Sequence, residues 1–145
     1  MGPTAPVFVK PLPHFSVKDQ SGRLWQLGDL NEKATLVNLW ATWCGPCRGE
    51  HPEIQKLYER IKGRKDLQIL TISVDDSPSA VTEYIKAEKY TFPVIHSPEL
   101  AHNLFPYIGL PTNFLVNAKG VRTSLYGFMT GERVLGDLER AAREK

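Results

Sequence analysis

Cys44 and Cys47 are the only cysteines in the chain, and Gly45 and Pro46 separate them. A bridge between residues this close closes a very small loop and removes little entropy from the unfolded chain, so stabilisation is a poor explanation for the pair. Thiol chemistry is a better one. If Cys44 caps the N-terminus of a helix, its sulfur meets the free N–H of Cys47 and the positive end of the helix dipole, and both favour thiolate over thiol. Pro46 stiffens the turn and brings no N–H of its own. Cysteines in such settings fall from a pKa of about 8.5 to about 7 or below. Thiolate is the attacking species in disulfide exchange. Cys44, nearer the surface, is placed to attack a partner's disulfide, and Cys47, one turn in, to resolve the mixed disulfide.

The elements that must position this pair are legible around it. Ala34 to Ala41 is an almost continuous apolar run broken by Asn38, the pattern of a strand buried on both faces. After the cysteines, Ile54, Leu57, Tyr58 and Ile61 mark one apolar helix face that Lys62-Gly63 ends, with Pro52 inside it predicting a kink. Leu67 to Val74 reads as a second strand, and Ser77-Pro78 as the cap and first residue of a second helix, with Val81, Tyr84 and Ile85 inward. Phe92 to Ile95 is a short extended piece, followed by a brief helix over Pro98 to Phe105 and a loop at Pro106 to Pro111. Asn113 to Val116 and Val121 to Phe128 form a hairpin around Asn117 to Gly120, and Thr130 caps a closing helix whose Val134, Leu135, Leu138 and Ala142 share a face. Upstream, Phe15 to Val17 and Leu24 to Leu27 make a short hairpin. The order predicts an α/β sandwich with a mixed central sheet.

The 145 residues match one domain of about 150. At 41% hydrophobic and 23% charged, the chain is too apolar for intrinsic disorder. Its 18 basic and 16 acidic residues leave +2, with the signs interspersed, so no nucleic-acid partner is predicted. The densest basic stretch, Arg60 to Lys65, reads as a solvated helix end. No run approaches the roughly 20 apolar residues of a membrane span. Residues 1–13 read as a Pro-rich leader resembling a tether, compatible with a signal or anchor upstream, and residues 14–145 as one domain. The four histidines, His14, His51, His96 and His102, show no ligand spacing, and His51 is expected to be solvated.

Trp43-Cys44-Gly45-Pro46-Cys47, followed by Pro52 and later by Gly109-Leu110-Pro111-Thr112, resembles the thioredoxin superfamily over nearly the whole chain. The segment Leu36 to Cys44 and the N-terminal hairpin resemble its membrane-tethered, extracytoplasmic branch related to TlpA and ResA. The resemblance implies a three-layer thioredoxin-like sandwich with an N-terminal β-hairpin extension, and no cofactor beyond the redox-active pair. It implies a cis Pro111 facing the cysteines, with Leu110 and Thr112 binding an extended substrate segment. Trp43, Gly45 and Pro46 support the site. Thioredoxin has a buried Asp where this chain has Asn38, so no carboxylate at that position can take the proton of Cys47; in the ResA-like branch an acidic residue after the next strand does related work. Asp76 is the nearest match, with Asp75 its neighbour. Members dedicated to cytochrome c maturation often carry Pro-Glu-Thr where this chain has Pro111-Thr112-Asn113, so no assignment to that pathway follows.

The expected function is therefore reduction of protein disulfides by a monomer outside the cytoplasm, in a bacterial periplasm or at the outer face of a membrane. Its partners are protein disulfides or dithiols and an upstream thiol reductant. Two alternatives use the same residues: a copper or zinc chaperone on the paired sulfurs, and a redox-silent docking module. Related copper carriers have three residues between their cysteines, against two here. A peroxidase is disfavoured because Thr42-Trp43-Cys44 lacks the Pro and the Thr spacing of the peroxiredoxin pattern.

Overall fold

The apolar run at 34–40 is a strand buried at every position, and the rest of the fold is arranged around it. The computed structural model describes residues 7–8, 12–30, 33–105, 107, 109–120, 122–125 and 131–144. In chain order the elements are Val7–Phe8 (β1), Ser16–Lys18 (β2), Leu24–Gln26 (β3), a 3-10 turn at Leu27–Leu30, Ala34–Trp40 (β4), Gly45–Ile61 (α1), Leu67–Ser73 (β5), Pro78–Glu88 (α2), Val94–His96 (β6), Pro98–Leu104 (α3), Thr112–Val116 (β7), Arg122–Leu125 (β8) and Gly131–Arg143 (α4). One six-stranded sheet has the order β1-β8-β7-β4-β5-β6, and β2-β3 is a separate antiparallel pair. β4, β5 and β6 run parallel, while β7 lies antiparallel against β4 and against β8.

Strand alternation divides the core between the two faces of β4. Leu36 and Trp40 pack with Ile54, Leu57 and Ile61 of α1, Val81 of α2, and Val134 and Leu138 of α4. Val37 and Leu39 pack on the other face with Ala101 and Leu104 of α3, Phe114, and Trp25 of the hairpin. Each fully buried Leu or Ile contributes about 1.5–3 kcal/mol. The hairpin is locked by Asp19, whose carboxylate accepts from Ser21 and Arg23 backbone N–H and from Trp25 Nε1.

The thioredoxin-like sandwich and the N-terminal hairpin appear as expected. α1 continues through Pro52, and α2 starts at Pro78 with Ser77 as its cap. The proposed leader is partly integrated: Val7 and Phe8 pair with Thr123 and Arg122 of β8, and Leu12 is buried in the core. The Thr130 cap and the end of the strand expected to reach Phe128 lie outside the described residues, as do residues 1–6 and 9–11 of the leader. Among the described residues no helix is long and apolar enough to cross a membrane.

Candidate active site

The motif leaves the sheet where β4 ends. Cys44 N donates to the carbonyl of Ala41 at 3.2 Å, closing a turn, and Cys44 then adopts an extended conformation as the N-cap of α1. Its sulfur accepts from Cys47 N at 3.2 Å, the contact that favours a thiolate there once the pair is reduced. Cys44 and Cys47 are joined in a disulfide. Cys44 is 6% exposed and Cys47 fully buried, so the first sulfur is the one nearer to a partner. Beside them Trp43 is 71% exposed, an apolar surface that core packing does not explain; Gly45 and Pro46 are exposed too.

The second motif arrives across the sheet. Thr112 opens β7 opposite Leu39, so the register sets Pro111 level with Trp40, at the sheet end from which the motif departs. The Leu110–Pro111 peptide is cis. Leu110 packs against both halves of the core, and Thr112 Oγ1 donates to the carbonyl of Gly109 at 2.5 Å.

The two neighbouring aspartates separate. Asp76 is exposed, whereas Asp75 is 2% exposed and accepts from Thr42 of the motif turn. A second buried carboxylate is Glu50, 2% exposed on α1, one turn beyond Cys47. Asn38 Nδ2 donates to Glu50 Oε1 at 3.3 Å and to Asn113 Oδ1 at 2.8 Å, and Asn113 Nδ2 donates to Glu50 Oε2 at 3.1 Å. Asn38 and Asn113 are direct partners across β4 and β7. The strand position thus holds no carboxylate but grips one supplied by the helix. Burial pushes the Glu50 pKa up, against the two amides that favour its charged form.

His51 corrects the expectation of a solvated side chain. It is fully buried, its Nδ1 hydrogen-bonds the Tyr84 hydroxyl at 2.8 Å, and its ring meets Trp40 edge-on at 4.6 Å. Burial first, and the nearby Arg48 charge second, lower its pKa to about 4. Its Nε2 has no hydrogen-bond partner. The signal for Glu50 and His51 lay in the helical stripe. Extended one turn towards the N-terminus, Ile54, Leu57 and Ile61 continue to Cys47, Glu50 and His51, all buried. Among the described residues no group of three or more His, Cys, Asp or Glu gathers as a metal site.

A profile of the AhpC/TSA family matches residues 9–123. The chain belongs to this family, on its ResA-like thioredoxin branch. It is 33% identical over 133 residues to the thiol-disulfide oxidoreductase ResA of Bacillus cereus, covering 90% of this chain and 76% of that one. Among solved structures, a thioredoxin-family thiol:disulfide interchange protein from Chlorobium tepidum superposes with a TM-score of 0.79 at 29% identity, over 92% of this chain and 96% of that one. StoA from Bacillus subtilis gives 0.75 at 28% identity, over 84% and 93%. Family membership, with a Cys-x-x-Cys disulfide at a helix N-cap, makes the chain a thiol-disulfide oxidoreductase of the thioredoxin fold.

Proposed function

We propose that the protein reduces disulfides in other proteins outside the cytoplasm, with Cys44 attacking, Cys47 resolving, and an upstream thiol reductant restoring the pair. The observation that carries this reading is Cys44 at the N-cap of α1, its sulfur accepting the Cys47 N–H beside an exposed Trp43. The Cys44 thiolate attacks one sulfur of the partner's disulfide, forming a mixed disulfide and releasing the other as a thiolate. Cys47 loses its proton and attacks Cys44; the Cys44–Cys47 bond forms and the partner's second sulfur leaves reduced. The partner gains two electrons and the motif loses two.

Glu50 is the acceptor we assign to the Cys47 proton, because it is buried on the same helix face one turn away with a raised pKa. Trp43, Leu110, Pro111 and Thr112 form the docking rim, and Gly45 and Pro46 shape the turn. Asp76, exposed beyond β5, is the other carboxylate that the resemblance offers for that proton. The reducing direction is supported by Gly45-Pro46, the dipeptide of thioredoxin itself. The extracytoplasmic setting is supported by the tethered branch the chain resembles.

Equilibration in thiol buffers of stepped potential, followed by Trp43 and Trp40 fluorescence with Cys44→Ser as control, tests the direction. A reversible two-electron transition near or below about −270 mV is expected of a reductant. One near about −120 mV reverses the direction. Absence of any transition, with both thiols shown to be free, overturns exchange altogether.

A further inference from the structure

The turn that presents Cys44 is fastened from outside its own motif. Just past the end of β5, Asp75 accepts from the backbone N–H of Thr42 at 3.1 Å on Oδ1 and 3.0 Å on Oδ2, and from Thr42 Oγ1 at 2.5 Å. Ser73 Oγ donates to Oδ2 at 2.6 Å and accepts from Asp75 N at 3.1 Å. On the far side, His96 Nε2 meets the Asp75 carbonyl at 2.5 Å; a carbonyl only accepts, so this nitrogen carries the proton. The Asp75 side chain therefore joins the end of β5 to the turn that ends in Cys44, and its backbone carbonyl adds a link to β6.

Among the described residues the partners of this carboxylate are two hydroxyls and a backbone N–H, with no cation. A buried charge held only by neutral donors is a costly fastener, and hydrogen bonds to a charged acceptor are shorter and stronger than neutral ones. Thr42 is two residues before Cys44, and the turn it occupies closes through Cys44 N and the Ala41 carbonyl. Holding Thr42 fixes where the Cys44 sulfur stands relative to the first turn of α1.

We propose that Asp75 is a positioning residue for thiol exchange, its carboxylate tying Thr42 to the end of β5 so that Cys44 is held at the helix N-cap. The inference rests on exchange at Cys44, and it assigns Asp75 no contact with the partner. Asp75 acts in two separable ways. Its grip on the turn keeps Cys44 where the helix terminus favours thiolate, whereas its negative charge opposes thiolate. Asn keeps an acceptor for Thr42 and removes the charge; Ala removes both. The other ionisable groups around the turn, Arg48, Glu50 and His51 on α1, Asp76, and His96 on β6, stay unchanged in these variants.

The test uses the reduced full chain and the variants Asp75→Asn, Asp75→Ala and Thr42→Val. It measures the pH midpoint of Cys44 alkylation by iodoacetamide and the rate of exchange with a disulfide peptide, with circular dichroism to establish folding. Asp75→Ala is expected to exchange about tenfold more slowly than the wild type, in line with the sensitivity of reactive geometry to displacements under 1 Å. Its alkylation midpoint should lie about one pH unit above that of Asp75→Asn, towards the ordinary thiol value. Asp75→Asn should recover most of the exchange rate. Thr42→Val, which keeps the charge and loses only the hydroxyl bond, should slow exchange about threefold and decides the matter if Asp75→Ala does not fold. Folded variants within twofold of the wild type overturn the proposal, as do equal midpoints and rates for Asn and Ala, which would leave only a charge effect. A wild-type Cys44 without an alkylation midpoint below that of a free thiol counts against the N-cap reading instead, and is seen before any variant is compared.

Discussion

Glu50 and His51 are neighbours on α1, both buried one turn beyond Cys47, yet their surroundings have opposite chemistry. Glu50 sits in a cradle of two amides that can support its charge. His51 sits among Trp40, Tyr84, Tyr90 and Phe92, with ring centroids 4.6 to 5.6 Å away, where only the Tyr84 hydroxyl offers it a bond. Burial moves both towards neutrality, the carboxyl upward and the imidazole downward. Glu50 is pulled both ways, burial favouring its neutral form and the two amide donors its charged one, which suits the proton exchange proposed for it; His51, buried among rings, is kept neutral and packs.

The largest expected effect breaks the aromatic side of the comparison. An unfolded His has a pKa near 6.5, against about 4 for folded His51. The unfolded chain therefore binds the extra proton first as pH falls. His51 contributes stability that is full above about pH 6.5 and is lost progressively towards pH 4, about 3 kcal/mol in all. Urea unfolding at stepped pH should show this slope and show it flattened in His51→Phe; an unchanged slope would place the acid sensitivity elsewhere. Glu50 works with the opposite sign, because a raised folded pKa contributes stability at low pH that fades as pH rises through the folded value.

Removing the cradle comes next. Asn38→Leu strips an amide from Glu50 and leaves the Asn113 oxygen unpaired in the core, at an expected cost of about 2–3 kcal/mol. A change under about 0.5 kcal/mol in chemical denaturation would mean the amides do not hold the carboxylate. Glu50→Gln should then move the midpoint of cysteine alkylation down by about one pH unit, since a nearby negative charge raises thiol pKa values. An unmoved profile would leave Cys47 without its assigned acceptor. The smallest effect belongs to the rim. Trp43→Ala should alter stability by less than about 0.5 kcal/mol because the ring is 71% exposed, while raising the KM for a protein disulfide several-fold and leaving that for a small disulfide unchanged.

Much of this was legible before any coordinates. The β4 run, the Ser77-Pro78 start of α2 and both motif segments announced themselves because burial on two faces, capping and Cys-x-x-Cys spacing are local properties of sequence. Glu50 and His51 were hidden by a local feature as well. Pro52 interrupts the helical pattern, so the apolar stripe reads from Ile54, after the buried polar pair that continues it. Asp75 and Asp76 were inseparable for a different reason. Alternation ends with the strand at Ser73, and which of two adjacent aspartates turns inward depends on Thr42, 33 residues earlier in sequence. Polar burial of that kind is decided by tertiary partners.

The account stands most directly on the division of labour between the two sulfurs, and single-cysteine variants measure it. Mixed with a disulfide-bonded peptide, Cys47→Ser should form a lasting mixed disulfide through Cys44, visible as an added mass that dithiothreitol removes, while Cys44→Ser should form little or none. A stable adduct on Cys47 in Cys44→Ser, with none on Cys44, would reverse the roles and contradict the account.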